Sequence, residues 1–435
     1  MSIMSITIKA KELAYHALFN RWITAPLFAT LNLVNLTRVK FKARIGKPVR
    51  VLFVAMSVPM WHYQGIYEWL KSDTRFEVYI VLSPTVLWGK SEMIENLIAM
   101  RRYFDEHDMA FIDWRLEDDY QPCDIRKAIN PDIIFYTQPY DKVHVKSHRF
   151  NKFLDKLLCY CAYGMTAETY DWNYNLPFHN IAWRLYYPLK RDMENASQLS
   201  YLKGLNMRVV GYSNQQLFER PATCNPWKDC GKRLKRIVWA PHYSIRPNDP
   251  LHLDSFIWSH DTMRQIAKKY HQVIQIAFKP HPKLKSQLYE LAEWGIERTN
   301  AYYDWWESQP NTQLETGEFI DLFKTSDAYI GDSGSFRTEY LYVHKPSMFL
   351  TRDVDKLMAS SNDYLKKVYS VLYLGSNKDD IIHFIDESVI LGKDPMKDLR
   401  ETFYQEEMLP PNGSDVGKNI YNDICQSLGI TPDNS

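Results

Sequence analysis

The stretch Val49 to Met56 reads VRVLFVAM, an apolar and largely β-branched run broken only by Arg50. A short continuous run of this kind fits a strand covered on both faces. GIYEWLKSD (65–73) follows with helical spacing of its apolar residues, and FEVYIVLSP (76–84) returns to strand character. Strand, helix and strand in such close order make the βαβ unit of a parallel sheet. The alternation continues outward. SEMIENLIAMRRYFDEHD (91–108) is helical and AFIDW (110–114) is a short apolar run. INPDIIFYTQPYD (129–141) and KLLCYCAYG (156–164) supply further strands, and VVGYSN (209–214) closes this half.

RPATCNPWKDCGKRLKR (220–236) is polar and rich in turn formers, which predicts a linker. The pattern then restarts. RIVWAPH (236–242) is a strand running into a loop, FIWSHDTMRQIAKKY (256–270) a helix, and QVIQIAFKPHP (272–282) a strand. LKSQLYELAEW (284–294) and GEFIDLFKTS (317–326) are helical. DAYIGDSGS (327–335) is a strand feeding a loop, FRTEYLYVH (336–344) a helix start and PSMFLTR (346–352) a strand. SDVGKNIYNDICQSLG (414–429) is a helix with Ser414 or Asp415 as cap and Gly429 as stop. The fold class expected is α/β, with two Rossmann-like domains facing a cleft. The boundaries are 1–46 for a basic amphipathic segment, 47–222 and 233–410 for the two domains, and 411–435 for a C-terminal helix. The 435 residues suit two cores of this size.

The net charge of +1 gives no global attraction to nucleic acid, and no stacking-aromatic motif accompanies the basic residues. The charge is uneven, however. Residues 1–50 carry nine Lys and Arg against Glu12 alone. Within them WITAPLFATLNLVNL (22–36) is apolar but interrupted by Pro26, Asn32 and Asn35, and is shorter than the ~20 residues of a membrane span. It is expected either to lie on an anionic membrane surface or to pack on the first domain. It lacks the cleavage site of a signal peptide. The six cysteines form no CxxC pair and no zinc spacing, so no metal or cofactor is expected and the cytoplasm is the default compartment. Cys159 and Cys161 share one face of an apolar strand and are expected to be buried. Aromatic residues are plentiful, with 29 Tyr and 13 Trp, and suit either a large concave surface or the cores.

Three clusters carry chemistry. In Lys279-Pro280-His281-Pro282, two prolines fix the backbone around a histidine at a strand end, and an imidazole between lysines suits phosphate oxygens. In Asp332-Ser333-Gly334-Ser335, small hydroxyl residues stand between a strand and a helix, where backbone and helix start can approach a phosphate. Glu339 on that helix can hold a ribose diol, although a serine cap with a nearby Glu is also a common helix start. In VWAPHYSIR (238–246), His242 and Arg246 leave a third strand end.

Together these clusters resemble the CDP-glycerol glycerophosphotransferase family, which includes the teichoic-acid primases and polymerases. The resemblance rests on Trp239-Ala240-Pro241, Lys279-Pro280-His281-Pro282, Ser326-Asp327, Asp332-Ser333-Gly334-Ser335, Glu339 and Lys345-Pro346. NTQLETGEFIDLF (311–323) adds to it. It covers residues 235–350 well and the first half loosely. It implies a two-domain GT-B arrangement and transfer of glycerol phosphate, or a related polyol phosphate, from a CDP-alcohol to an acceptor hydroxyl, with release of CMP. The acceptor would be a cell-surface glycan or a lipid-linked, teichoic-acid-like chain at the inner membrane face. His281, Ser333 and Ser335 would contact the donor phosphates and Glu339 the cytidine ribose, with no bound catalytic metal. The remaining donor-side residues are His242, Arg246, Lys279, Asp332 and Gly334.

The first half departs from the family, whose proposed base is a histidine in a His-Gly pair. Tyr163-Gly164 stands at the comparable strand end, and a phenol of pKa near ~10 is a poor base at neutral pH. His179 and His62 are the other candidates. This departure keeps two alternatives open. One is a GT-B glycosyltransferase or epimerase using another nucleotide sugar. The other is a nucleotide-binding scaffold without catalysis.

Overall fold

The computed structural model describes residues 21–87, 89–113, 122–165, 169–246, 255–413 and 415–433. The chain divides into two compact units. The first holds residues up to 163, 169–216 and 409 onward, and the second holds 164–168 and 217–408.

The first unit is built on a six-stranded sheet of β1 (Val49–Ala55), β2 (Phe76–Leu82), β3 (Ile133–Tyr136), β4 (Leu157–Cys161), β5 (Arg184–Tyr187) and β6 (Met207–Val209). The order is β2-β1-β3-β4-β5-β6, and every pairing is parallel. Burial of both faces explains the continuous apolar runs: within β1 only Arg50 is less than fully buried. In AFIDW, residues 110–113 form a single bridge, Val81 to Ile112, rather than a strand, and Trp114 lies outside the described residues. Cys159 and Cys161 are buried free thiols.

The second unit has its own six parallel strands: β7 (Lys235–Ala240), β8 (Ile274–Phe278), β9 (Thr312–Leu314), β10 (Ala328–Gly331), β11 (Ser347–Leu350) and β12 (Tyr373–Gly375). Their order is β12-β11-β10-β7-β8-β9. The chain starts in the middle at β7, walks out to β9 and crosses back to lay β10 on the other side of β7. That reversal is the topological switch point of a doubly wound sheet, and ligands bind outside the strand ends there. Aromatic side chains fill this core: Trp239 is stacked on Phe278 and Phe256 and tilted against Trp306, with neither tryptophan exposed.

The stretch expected as a linker is packed down instead. Thr223 and Cys224 donate backbone N–H bonds to Asp321, the Trp227 indole donates to Thr325, and the Lys228 amide to Gln313. Its polar residues bond to the second unit, so polarity alone misled the reading.

Residues 1–20 of the basic segment lie outside the described residues. The helix Arg21–Arg44 packs on the first unit. It buries Phe28, Asn35 and Val39, and Asn35 donates to the carbonyls of Leu154 and Lys156. Leu27, Leu33, Val34 and Phe41 remain exposed. No helix among the described residues is long and apolar enough to cross a membrane.

The C-terminal helix Val416–Leu428 is capped by Asp415, whose side chain accepts from the Lys418 amide, and stops at Gly429 in the left-handed region. Ser414 lies outside the described residues. This helix lies against the helix Gln64–Ser72 of the first unit. Tyr421 stacks on Trp69 and donates to Asp73. The two backbones meet at glycines: a Cβ at Gly417 would stand 2.4 Å from the Gly65 carbonyl carbon, whereas one at Gly65 would meet nothing nearer than 3.4 Å. Gly417→Ala is therefore expected to destabilise the protein by roughly 1–3 kcal/mol through overpacking. Gly65→Ala should be nearly neutral. Urea melts of both variants against the parent check the asymmetry, and equal effects would contradict it.

Candidate functional site

Strands β10, β7 and β8 are neighbours, and the three sequence clusters leave their carboxyl ends side by side. Pairing of β7 with β8 runs on past the strands, because the Lys279 amide donates to the Trp239 carbonyl and the His281 amide to that of Pro241. A proline on each side of His281 holds the same extended path. Between β10 and β7 the approach is closer still. A side chain at Gly331 would meet the Ala240 carbonyl oxygen at 2.4 Å, so only glycine fits there.

Asp332, the next residue, is fully buried. One carboxylate oxygen accepts from the His242 amide at 2.7 Å and the other from the Ser255 amide at 3.0 Å. It thus fastens the loop after β7 and the start of the helix Ser255–Lys269 to the end of β10, and its oxygens are occupied by the protein. Burial pushes its pKa up from 3.8 to about 7, against the pull of these hydrogen bonds.

His281 and His242 meet at this edge with ring centroids 5.1 Å apart. Tyr243 packs beside both, 4.5 Å from His281 and 4.3 Å from His242. The Nδ1 of His281 accepts from the Lys283 amide at 3.1 Å, which places the ring proton of the neutral form on Nε2. Nε2 finds no partner among the described residues and is left to donate outward. Burial lowers the His281 pKa to about 4, with repulsion from His242 and Lys283 adding to it. The ring is therefore a neutral donor at pH 7, not the cation that the flanking lysines suggest. His242 similarly accepts at Nδ1 from the Ser244 amide.

Ser333 is 8% exposed, while Gly334 and Ser335 are half-buried. Neither serine hydroxyl is bonded within the described protein. Ser335 stands at the start of the helix Phe336–Glu339 without making a side-chain cap, so the common serine-cap arrangement is absent. That helix is four residues long and contributes little dipole. Glu339 is 4% exposed on it.

The remaining donor-side residues are committed elsewhere. Lys279 is buried and donates to the Gly317 carbonyl at 2.5 Å. Its pKa is lowered by burial and pulled back up by Glu315 and Glu318. Arg246 is exposed and paired with Glu290. Lys345, from the Lys-Pro motif, bonds to the carbonyls of Lys324 and Ser326 at 2.6 Å each. Asp327 accepts from the Arg236 amide.

Of the first-unit candidates, His179 is 2% exposed. Its Nδ1 accepts from the Leu176 amide, its Nε2 lies 3.4 Å from the Tyr187 hydroxyl, and burial takes its pKa to about 3. His62 is buried after β1 with its ring nitrogens facing the carbonyls of Met60 and Cys161, and burial lowers its pKa to about 4. Tyr163 is 40% exposed, 6.2 Å from the His62 ring, and its phenol pKa is raised by burial and by Tyr140. None of the three is tuned as a base for neutral pH. Among the described residues no group of three or more His, Cys, Asp or Glu side chains could hold a metal ion.

Tyr243 and Gly331 are the site residues that sequence reasoning passed over. Tyr243 lay inside the quoted VWAPHYSIR, between the two residues singled out. Asp332→Ala strands two buried N–H donors and is expected to cost about 2–4 kcal/mol. Because the folded pKa of Asp332 is raised, its contribution to stability is complete below about pH 4 and is lost as pH rises through about 7. Asp332→Asn should remove that slope. Urea midpoints between pH 5 and 8 for parent and variant check this, and parallel curves would contradict it.

No protein-family model matches the chain. No curated protein sequence matches it either. Solved structures do. The wall teichoic acid polymerase TagF matches with a TM-score of 0.56 at 12% identity, over 99% of this chain and 99% of that one. A UDP-N-acetylglucosamine 2-epimerase matches with a TM-score of 0.55 at 14% identity, over 89% of this chain and 99% of that one. The UDP-GlcNAc 2-epimerase of Methanocaldococcus jannaschii, in complex with UDP-GlcNAc and UDP, gives 0.54 at 15%, over 87% and 100%. At such identities the likeness is one of architecture: two parallel six-stranded α/β units of the GT-B type, as expected from the sequence.

Proposed function

We propose that this protein is a transferase that moves a glycerol phosphate, or a related polyol phosphate, from a CDP-alcohol to a hydroxyl of a cell-surface glycan or teichoic-acid-like acceptor. The observation that carries this reading is the set of uncommitted donors at the switch point. His281 Nε2–H and the hydroxyls of Ser333 and Ser335 stand on strand ends that flank β7, the histidine held by its amide's bond to the Pro241 carbonyl and the serines following buried Asp332. Such donors match the oxygens of a pyrophosphate, and they matter most as charge grows on the departing group. In the step, the acceptor hydroxyl oxygen bonds to the polyol-bearing phosphorus, and its proton passes to the phosphate oxygen of the departing CMP. The bond from that phosphorus to the CMP oxygen breaks, and its electron pair leaves with CMP. In this reading Glu339, four residues after Ser335, would take the ribose of the nucleotide. A wall teichoic acid polymerase has the same fold, which agrees with this reading.

A second reading has its own support. The epimerase with UDP-GlcNAc and UDP shares the same architecture, so a nucleotide-sugar donor fits a cluster that grips phosphates alone. Under the first reading the protein works at the inner face of a membrane. The helix Arg21–Arg44 suits that surface, since exposed Leu27, Val34 and Phe41 run along it beside Lys40 and Arg44.

Calorimetric titration with CDP-glycerol, CDP-ribitol, CMP, UDP-GlcNAc and UDP tests the choice. CDP-alcohols are expected to bind at least tenfold tighter than UDP-GlcNAc, and His281→Ala to weaken them tenfold or more with unchanged melting temperature. Preference for UDP-GlcNAc moves the assignment to the second reading, and binding without turnover on any acceptor leaves a scaffold. Bound phosphate should raise the His281 pKa from about 4. Affinity for CDP-glycerol, whose phosphates do not titrate in this range, should be flat near pH 7 and rise as pH falls toward 5. An affinity independent of pH in the parent would remove His281 from the phosphate.

A further inference from the structure

A cavity of about 230 Å³ opens on the second unit between the helices Ser255–Lys269 and Gly295–Ser308. It uses none of the strand-end residues above. The crossovers from β7 to β8 and from β8 to β9 run in one direction across the sheet, and right-handed connections put both helices on one face. Arg264 and Asp261 line the cavity from the first helix, and Arg298 and Trp305 from the second, with Trp294 at its start.

The two arginines are held by aromatic rings rather than by acids. The Arg298 guanidinium lies 4.4 Å from the Trp294 ring centroid. That of Arg264 lies 5.1 Å from Trp305 and 5.6 Å from Tyr302. Stacking fixes the plane of a guanidinium and leaves its N–H edges free to meet an anion. Arg264 makes no hydrogen bond to any described residue, and its Nε is buried without a partner. Arg298 spends one donor on the Glu293 carbonyl. Lys268, 5.7 Å from the Trp305 ring, adds a cation nearby, and Asp261 is the one carboxylate in the lining. An unpaired donor on a rigid, cation-rich wall is an arrangement that an anion would complete. The volume limits the choice. Pockets for drug-sized ligands begin near ~300 Å³, so a nucleotide is too large, while a phosphate with a few carbons fits.

We propose that this cavity is a second anion site, which takes a small phosphorylated polyol or sugar with its phosphate between Arg264 and Arg298 and its carbons against the tryptophan edges. The proposal is independent of the donor assigned to the switch point. Calorimetric titration of the full chain with glycerol 3-phosphate, inorganic phosphate and glycerol tests it. Glycerol 3-phosphate is expected to bind tightest and glycerol not at all. Its binding should survive His281→Ala, fall at least tenfold in the Arg264→Gln/Arg298→Gln double variant, and fall at least threefold in Arg298→Gln alone. Arg298 is exposed, so that single change spares the fold. Binding lost in His281→Ala but kept in the double variant would overturn the proposal, as would no binding by the parent. Equal affinity for inorganic phosphate would overturn the assignment of a polyol or sugar ester.

Discussion

A carboxylate sealed from water holds together the carboxyl ends of β10 and β7 in the second unit. Asp332 reaches sideways from β10 to the amide of His242 and to the amide of Ser255, so one residue ties three separately coded segments. Each bond satisfies a backbone donor that burial would otherwise strand. The close approach of Gly331 to Ala240 makes this reach possible, and the extended path around His281 copies the register onward to β8. Remove the carboxylate, and the two loops that present His242 and Ser333 lose their common reference. The side chains presented at this edge thus rest on hydrogen bonds made beneath it.

That arrangement divides the residues behind the family resemblance into two kinds. Trp239, Ser326, Asp327, Asp332 and Lys345 are interior or bonded to backbone, and they set where the strand ends lie. His281, Ser333 and Ser335 stand at the mouth with donors to spare. A pattern read from residue types mixes the two, since a lysine that grips a phosphate and a lysine that grips carbonyls are written alike. Lys279 shows this directly: beside Pro280 and His281 it resembles a phosphate ligand, yet its ammonium is spent on Gly317.

Much of the architecture was legible because parallel strands buried on both faces must be apolar throughout. VRVLFVA, FEVYIVL and IQIAF each became a strand. RLYY (184–187) was passed over because three of its four residues, an arginine and two tyrosines, are equally at home on a surface. TQL (312–314) and YLG (373–375) were too short to show any period. The helix Gly295–Ser308 was hidden by its polar and aromatic mixture, since its buried face is made of Thr299, Tyr302, Tyr303 and Trp306. At the site, sequence placed the strand ends correctly but not the protonation. Nothing in Lys279-Pro280-His281-Pro282 reveals that burial and neighbouring cations keep the imidazole neutral. His179 looked reactive for the same reason, being a histidine whose surroundings were not yet known.

The return of the chain to the first unit has a consequence for how the protein is made. Val416, Ile420, Tyr421, Ile424 and Leu428 belong to the same apolar cluster as β1 and β2. The first unit therefore lacks part of its core until the residues after 415 have left the ribosome. The second unit is complete by residue 408. Domains made in order usually fold N-terminal first. Here the later half can finish first, while the earlier half waits with Trp69 and Leu70 uncovered.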